Sequence, residues 1–102
     1  MAVVAKRFFK GQLVGTASNT LYTVPTNTNT MVKAVTITNP STSPATFYLV
    51  FAGVQVIAAY TIKGNDTITI PFMDQILLAG ETITAQASIG LINLYISGKE
   101  VT

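Results

Sequence analysis

The sequence of 102 residues contains no cysteine, no histidine and no tryptophan. Without cysteine, the chain can form neither a disulfide framework nor a thiol nucleophile. Without histidine, it lacks the side chain that most often acts as a general base or a metal ligand, and a Ser-His catalytic pair is impossible. These absences leave carboxylate chemistry as the main catalytic route to weigh.

Acidic residues are few and scattered. The four are Asp66, Asp74, Glu81 and Glu100, and they lie in different turns or near the C-terminus. A carboxylate pair can run a hydrolysis, and Asp66 and Asp74 could help to hold calcium, but oxygen-rich metal sites usually repeat acids at short intervals. We interpret the four acids as turn and edge charges. The chain is therefore predicted to be non-enzymatic, with no catalytic residue, no metal site and no cofactor.

Charge of either sign is scarce. Charged residues make up 10% of the chain and the net charge is +2, whereas an ordinary soluble domain has about 25% charged residues. Ten charges cannot cover the surface of a domain of this size, so neutral polar and apolar side chains must cover the rest. Such a surface suits permanent contacts, whose centres are depleted of charge. The composition thus predicts a homo-oligomer or an assembly subunit.

The longest uncharged region includes the apolar segment 45–62, ATFYLVFAGVQVIAAYTI. A membrane-spanning helix needs about 20 largely apolar residues, so this segment is borderline by length. It contains Gly53 and Gln55 in its interior, and no cluster of Lys or Arg flanks it. Two strands joined at Ala52-Gly53 explain the same residues better, so no membrane span is predicted.

Apolar residues alternate with polar ones along most of the chain, as in 46–51, 67–72, 82–88 and 92–97. A period of two places each apolar set on one face of a β-strand. Gly, Pro, Asn and Asp separate these runs at the intervals of an all-β domain. The sequence predicts one domain, 1–102, folded as a single antiparallel β-sandwich or jelly roll of about eight strands. The predicted strands are 3–10, 12–17, 20–24, 31–38, 45–52, 54–62, 66–72 and 81–88, with 91–97 and a further segment 99–102 closing the sheet.

The N-terminal segment holds half of the six cations. In AKRFFKGQ, Lys and Arg flank Phe8 and Phe9, a combination that could contact phosphates and stack on bases. Three charges make a small footprint and no second basic stretch supports them, so no nucleic-acid partner is predicted. In a regular strand, adjacent phenylalanines point to opposite faces, which leaves one ring outside the core. Residues 1–10 are therefore interpreted as either a docking arm or an edge strand.

Several motifs follow one another in a set order along the chain. The box LYTVP, Leu21 to Pro25, is followed by the uncharged tip TNTNT, by a strand from Met31 to Thr38 and by a Ser/Thr-rich turn that begins at Asn39. Downstream come ILLAGETITAQAS and INLYISGKEVT. Together these motifs resemble small structural proteins of tailed bacteriophages. The resemblance runs from Thr20 onward, about 80% of the chain, and rests on the order of the motifs rather than on any one of them.

The resemblance implies a structural subunit of a phage virion, made in the host bacterial cytoplasm and located in the virion. We expect a head-decorating or stabilising protein that self-associates and binds another virion protein, such as the capsid or tail protein; a neck or tail accessory protein is the alternative. An uncharged tip can pack against another subunit at a smaller desolvation cost than a charged one. The candidate interface residues are Arg7, Phe8, Phe9, Lys10, Tyr22, Pro25, Asn27 and Asn29.

A carbohydrate-binding module for host attachment is the alternative from a different class. Such modules use exposed aromatic rings beside amide or acidic partners, and the absence of tryptophan weakens this alternative. The candidate residues are Tyr22, Tyr48, Tyr60 and Tyr95 beside Asn93 or Gln55.

Overall fold

The structure, a computed structural model, describes residues 2–71 and 73–102, and these form nine β-strands in two antiparallel sheets without a helix. The predicted all-β sandwich is confirmed. The strands are β1 (Val3–Gln12), β2 (Asn19–Thr23), β3 (Asn29–Asn39), β4 (Ala45–Phe51), β5 (Val54–Ile62), β6 (Asp66–Ile70), β7 (Gln75–Leu77), β8 (Thr82–Ala87) and β9 (Asn93–Val101).

The chain passes repeatedly from one sheet to the other. The five-stranded sheet has the order β1-β9-β3-β6, with the short β7 also paired to β3, and the four-stranded sheet has the order β2-β8-β4-β5. With β7 set aside, each sheet holds four strands and the connections are those of a jelly roll. The edges of the five-stranded sheet are β1 on one side and β6 with β7 on the other. The edges of the four-stranded sheet are β2 and β5.

The core lies between the sheets and follows the period-two pattern. In β4, Phe47, Leu49 and Phe51 point inward and are buried, while the residues between them are only partly covered. The inward residues of β8 and β9 are buried in the same way. Each fully buried large apolar side chain contributes about 1.5–3 kcal/mol by leaving water, so this alternation is the main stabilising feature of the fold.

The buried Asn39 shows why the turn after β3 has its particular sequence. Its side-chain amide donates hydrogen bonds to the carbonyl oxygens of Ser43 (2.8 Å) and Ile62 (3.1 Å), and its carbonyl oxygen accepts one from the backbone N–H of Ser41 (3.0 Å). A buried amide without these partners would cost about 1–3 kcal/mol. Asn39 therefore fixes the turn 40–44 against the end of β5.

Some predicted strand boundaries are wrong. The segment 12–17 is not a strand: β1 continues to Gln12, and the chain then forms a loop up to Asn19. The segments 91–97 and 99–102 merge into β9, which continues through Gly98. The strand β7 was not predicted, because three residues give too short a pattern to recognise. Phe72, predicted to share a face with Ile68 and Ile70, lies outside the described residues.

Candidate functional site

The two sheets differ completely in charge. Of the residues described, those in the four strands of the four-stranded sheet include no charged side chain. The strands of the five-stranded sheet carry five cations and two acids, and the connecting loops carry the other three charges. This segregation is not obvious in the sequence, because the chain passes back and forth between the two sheets.

The outer surface of the four-stranded sheet is built from neutral side chains. Because the apolar residues of β4 and β8 point inward, the residues between them face outward. We call this surface the neutral face; its central residues are Thr46, Tyr48, Val50, Thr82, Thr84 and Gln86.

The strand β5 is a long sheet edge whose one protection against association is its bulged backbone. Natural proteins protect sheet edges with charges, proline, bulges or short strands. The edge strand β1 carries three cations. The edge strand β2 has only five residues and is soon followed by Pro25. The third edge is made of two short strands, β6 and β7. By contrast, β5 has nine residues with neither charge nor proline.

Beside β5, an apolar groove opens between the edges of the two sheets. It has a volume of about 200 Å³ and is lined by Ile57 and Tyr60 of β5, Ile68 and Ile70 of β6, and Ile37 of β3. Tyr60 is 49% exposed, and Val54 and Val56 on the same strand are 63% and 36% exposed. We call this groove, together with Val54 and Val56, the β5 surface.

The backbone of β5 is irregular. The register of β5 with β4 shifts twice, once between Phe47 and Leu49 of β4 and once between Leu49 and Val50. In β5 itself, Ala59 has a φ of 50°. Bulges of this kind bend a strand and interrupt a continuous row of hydrogen-bonding groups. Contacts at the β5 surface would therefore depend on apolar side chains more than on the addition of a long, regular strand.

A second, more open groove of about 410 Å³ lies on the five-stranded sheet. It is lined by Ala5, Lys6, Arg7, Lys33, Ser97 and Gly98. Lys6 pairs with Glu100 at 3.5 Å and Lys33 with Asp74 at 2.5 Å. The guanidinium of Arg7 lies 5.8 Å from the centre of the Tyr95 ring. The groove is thus basic, whereas the β5 surface is apolar.

A polar contact joins the two sheets at the Tyr22 hydroxyl. It lies 3.0 Å from the Thr30 hydroxyl and donates a short hydrogen bond to the carboxylate of Glu100. Burial and the hydrogen bond to Glu100 raise the pKa of Tyr22 to about 12. The Tyr22 ring packs on Phe8, with 4.6 Å between the ring centres. Tyr22 therefore has a structural position between the sheets.

The prediction that Phe8 and Phe9 face opposite sides is wrong. The β1–β9 register shifts between Arg7 and Phe9, so Phe8 is an extra residue in a bulge. Phe8 is 7% exposed in the core, and Phe9 is partly buried against it. Arg7 and Lys10 remain exposed on β1.

The remaining predicted interface residues lie apart from the N-terminal cluster. Pro25 and Asn27 are exposed in the loop between β2 and β3, where Asn27 adopts a φ of 57°, and Asn29 is exposed at the start of β3. The structure thus brings Tyr22 to Phe8 but does not gather the eight candidates into one surface. The β5 surface was not predicted, although the sequence carries a signal for it: no charged residue occurs from Ala34 through Ile62.

The part of the chain that the structure describes holds neither a metal cluster nor a membrane-spanning helix. Within 2–71 and 73–102, no group of three acidic side chains is arranged to hold a metal ion. In the same part of the chain, no helix has the length and apolar character needed to cross a membrane.

No protein-family model matches the chain, and no curated protein matches it. A solved structure that is similar to it is the NLP-core of Drosophila, which has been described in terms of pentamer formation and histone binding. The alignment covers 100% of both chains, with a TM-score of 0.53 and 14% sequence identity. At this identity the similarity concerns the fold.

The prediction of a tailed-phage virion subunit, whether in the head, neck or tail, is corrected by this finding, because the structure that aligns over the full length is a histone-binding pentamer of Drosophila. The motifs behind the prediction have a structural role instead. The backbone N–H of Val24 donates to the carbonyl of Glu81 (2.9 Å), and that of Gly80 donates to the carbonyl of Val24 (3.0 Å). The LYTVP box and the LAGE turn thus hold each other in place, as any sandwich with these turns would require.

The carbohydrate-binding alternative fails with the same correction, and the positions of the tyrosines explain why. Tyr22 lies between the sheets, Tyr48 on the neutral face, Tyr60 at the groove beside β5 and Tyr95 on the five-stranded sheet. Four rings on four different surfaces do not form an aromatic platform.

Proposed function

We propose that the chain is a non-enzymatic subunit of a homo-oligomer whose copies join through the β5 surface. The observation that carries this proposal is the uncharged β5 edge with an apolar groove beside it. Exposed, long and uncharged edges are the places where β-proteins associate. The side-chain hydroxyls of Tyr60 and Thr61 are neutral, so their burial at an interface costs less than the burial of a charge would.

The available area supports an interface with a second copy. The chain has an accessible surface of 5516 Å², and a standard stable interface covers about 800 Å² on each partner. An interface of about 800 Å² would cover about one seventh of the accessible surface of the chain. The area of the groove alone is smaller than that. The neutral face continues directly from β5 through β4 to β8, so the contact can extend across that sheet without burying a charge.

The similarity to the NLP-core supports the assembly part of the proposal. That protein has been described as forming pentamers, so this kind of sandwich is compatible with a ring of copies. Histone binding is not part of the proposal. Histones are strongly basic, whereas this chain has a net charge of +2 and only four acids, and Glu100 and Asp74 are already paired with lysines.

The absence of catalysis is proposed on chemical grounds. The sequence contains neither histidine nor cysteine, and the groove beside β5 is lined by four isoleucines and one tyrosine. An apolar groove of this kind can hold a side chain from a partner but offers no base, nucleophile or metal ligand.

Substitution of Val56 by lysine tests the assembly proposal. Val56→Lys introduces a charge into the β5 surface, and burying that charge at a contact costs several kcal/mol. We expect size-exclusion chromatography with light scattering to show an oligomer for the unaltered protein and a monomer for Val56→Lys, with unchanged circular dichroism.

The matched control is Val3→Lys, which places the same charge on the edge strand β1, where Val3 is 57% exposed. This variant should remain an oligomer. The proposal is wrong if the unaltered protein is a monomer at every concentration, or if Val3→Lys dissociates the oligomer and Val56→Lys does not.

A further inference from the structure

The outer face of the five-stranded sheet gathers cations that are distant in the sequence. Lys10 lies opposite Tyr95 in the β1–β9 pairing, and Lys99 lies opposite Ala5. Ala5, Arg7 and Lys33 line the same open groove. The four cations Arg7, Lys10, Lys33 and Lys99 thus share one face, which we call the basic face.

Acidic residues are nearly absent from the basic face. Among the described residues, Asp74 approaches it from the edge and pairs with Lys33. Glu100 is on the opposite side of β9, where it accepts the hydrogen bond from Tyr22 and contacts Lys6. The remaining three cations, Arg7, Lys10 and Lys99, are in no ion pair within the described residues.

An exposed aromatic ring lies among these cations. Tyr95 is 45% exposed near the start of β9, and the planar guanidinium of Arg7 lies over its ring and donates to its hydroxyl at 3.5 Å. Arginine and tyrosine placed in this way form a flat surface on which a planar group can stack. The hydroxyl of Ser97, which lies opposite Arg7, adds a neutral hydrogen-bonding group.

We propose that the basic face binds single-stranded nucleic acid, with phosphates at Arg7, Lys10 and Lys99 and an unpaired base against Tyr95 and Arg7. This inference goes beyond the proposed assembly role and does not depend on it. Sheet faces that bind single strands combine a cationic surface with aromatic rings. A base can stack on Tyr95 only if it is unpaired, which favours a single strand over a duplex.

This proposal revises the expectation of no nucleic-acid partner. That expectation depended on a single basic stretch and on Phe8 and Phe9 as the stacking residues. The fold buries Phe8, partly buries Phe9 against the core, and places the exposed Tyr95 on the basic face instead. It also adds Lys33 and Lys99 from two other strands, which no local pattern in the sequence could indicate.

Fluorescence anisotropy with a labelled oligothymidylate tests the proposal. Binding should be measurable at low salt and should weaken as salt rises, with a slope of about −0.7 for each phosphate contacted. Three contacts predict a slope of about −2 for each bound copy. Arg7→Gln should weaken binding and reduce the magnitude of the slope by about 0.7, the share of one phosphate contact. Tyr95→Leu should weaken binding about fivefold or more, because it removes the stacking surface.

The matched control is Lys63→Gln, which removes one positive charge from the loop after β5, away from the basic face. It should leave both affinity and slope nearly unchanged, and circular dichroism should show that all variants fold.

The proposal is overturned by any of three results: no binding at low salt, equal weakening by Lys63→Gln and Arg7→Gln, or equally tight binding of polyglutamate or of vesicles containing anionic phospholipid. Because each copy carries its own basic face, monomeric Val56→Lys should still bind, which separates this test from the test of assembly.

Discussion

At the scale of single residues, the hydroxyl of Tyr22 links three strands and both sheets. Tyr22 belongs to β2, and its two hydrogen-bond partners belong to β3 and β9. The carboxylate of Glu100 also meets Lys6 of β1. A single phenol thus completes a hydrogen-bonded group in which four strands take part, and its removal leaves a partly buried carboxylate with fewer donors.

Substitution of Tyr22 by phenylalanine is expected to lower the free energy of unfolding by about 1.5–3 kcal/mol at neutral pH, the usual range for a hydrogen bond to a charged group. The pKa of Tyr22 in the folded protein is about 12, above its ordinary value of 10.0. The folded state therefore holds the phenolic proton more tightly than the unfolded state. The resulting stabilisation is complete below pH 10 and is lost as the pH rises from 10 to 12.

Urea denaturation of the two proteins across this pH range measures the effect. The difference in unfolding free energy between the unaltered protein and Tyr22→Phe should shrink between pH 10 and pH 12. Tyr48→Phe, on the neutral face, is the control and should show a smaller loss at neutral pH. A difference that stays constant up to pH 12 would contradict the account of Tyr22.

At the scale of strands, alternation decides which side of each element is buried, and bulges decide the exceptions. The sequence predicts the inward sets of β4, β8 and β9 correctly, because each is a regular strand with a strict period of two. It fails at Phe8 and Phe9, because a bulge in β1 allows both neighbours to turn toward the core. A bulge depends on the partner strand, and a single sequence does not indicate that partner.

The candidate site was less predictable than the fold. Low charge indicates an association surface but does not locate it, because the charge-free strands of one sheet are separated in the sequence by charged strands of the other. The basic face is hidden for the same reason: Arg7, Lys33 and Lys99 become neighbours only through the pairing of β1 and β3 with β9.

Two alanine substitutions distinguish a core strand from the rim of the groove. Phe47 is 0% exposed between the sheets, so Phe47→Ala should cost about 3–5 kcal/mol. Ile70 lines the groove beside β5 and is only partly buried, so Ile70→Ala should cost about 1–2 kcal/mol, because part of its surface already meets water.

Chemical denaturation of the monomeric Val56→Lys background gives both values without a contribution from assembly. Equal losses for the two substitutions would mean that the groove beside β5 is closed in solution and that Ile70 belongs to the core.

At the scale of the whole molecule, the sandwich has two sides with different chemistry. One sheet is free of charge in all its strands, and the other carries most of the cations. The molecule is elongated, 46 × 23 × 19 Å, so a contact at the β5 edge leaves the basic face of each copy accessible. Assembly and binding of an anionic chain can therefore occur together, and several basic faces on one oligomer would increase the affinity for a long strand.

The central claim is that copies of the chain join at β5, and amide hydrogen exchange measured at low and high protein concentration tests it most directly. In a monomer, the exchange rate of an edge strand does not depend on concentration, whereas an edge covered by a second copy is protected as the oligomer forms. We predict that exchange in Val54–Ile62 slows as the concentration rises, while exchange in the edge strand Val3–Gln12 stays the same. An oligomer in which β5 exchanges at the same rate at both concentrations, or in which β1 alone becomes protected, would contradict the account.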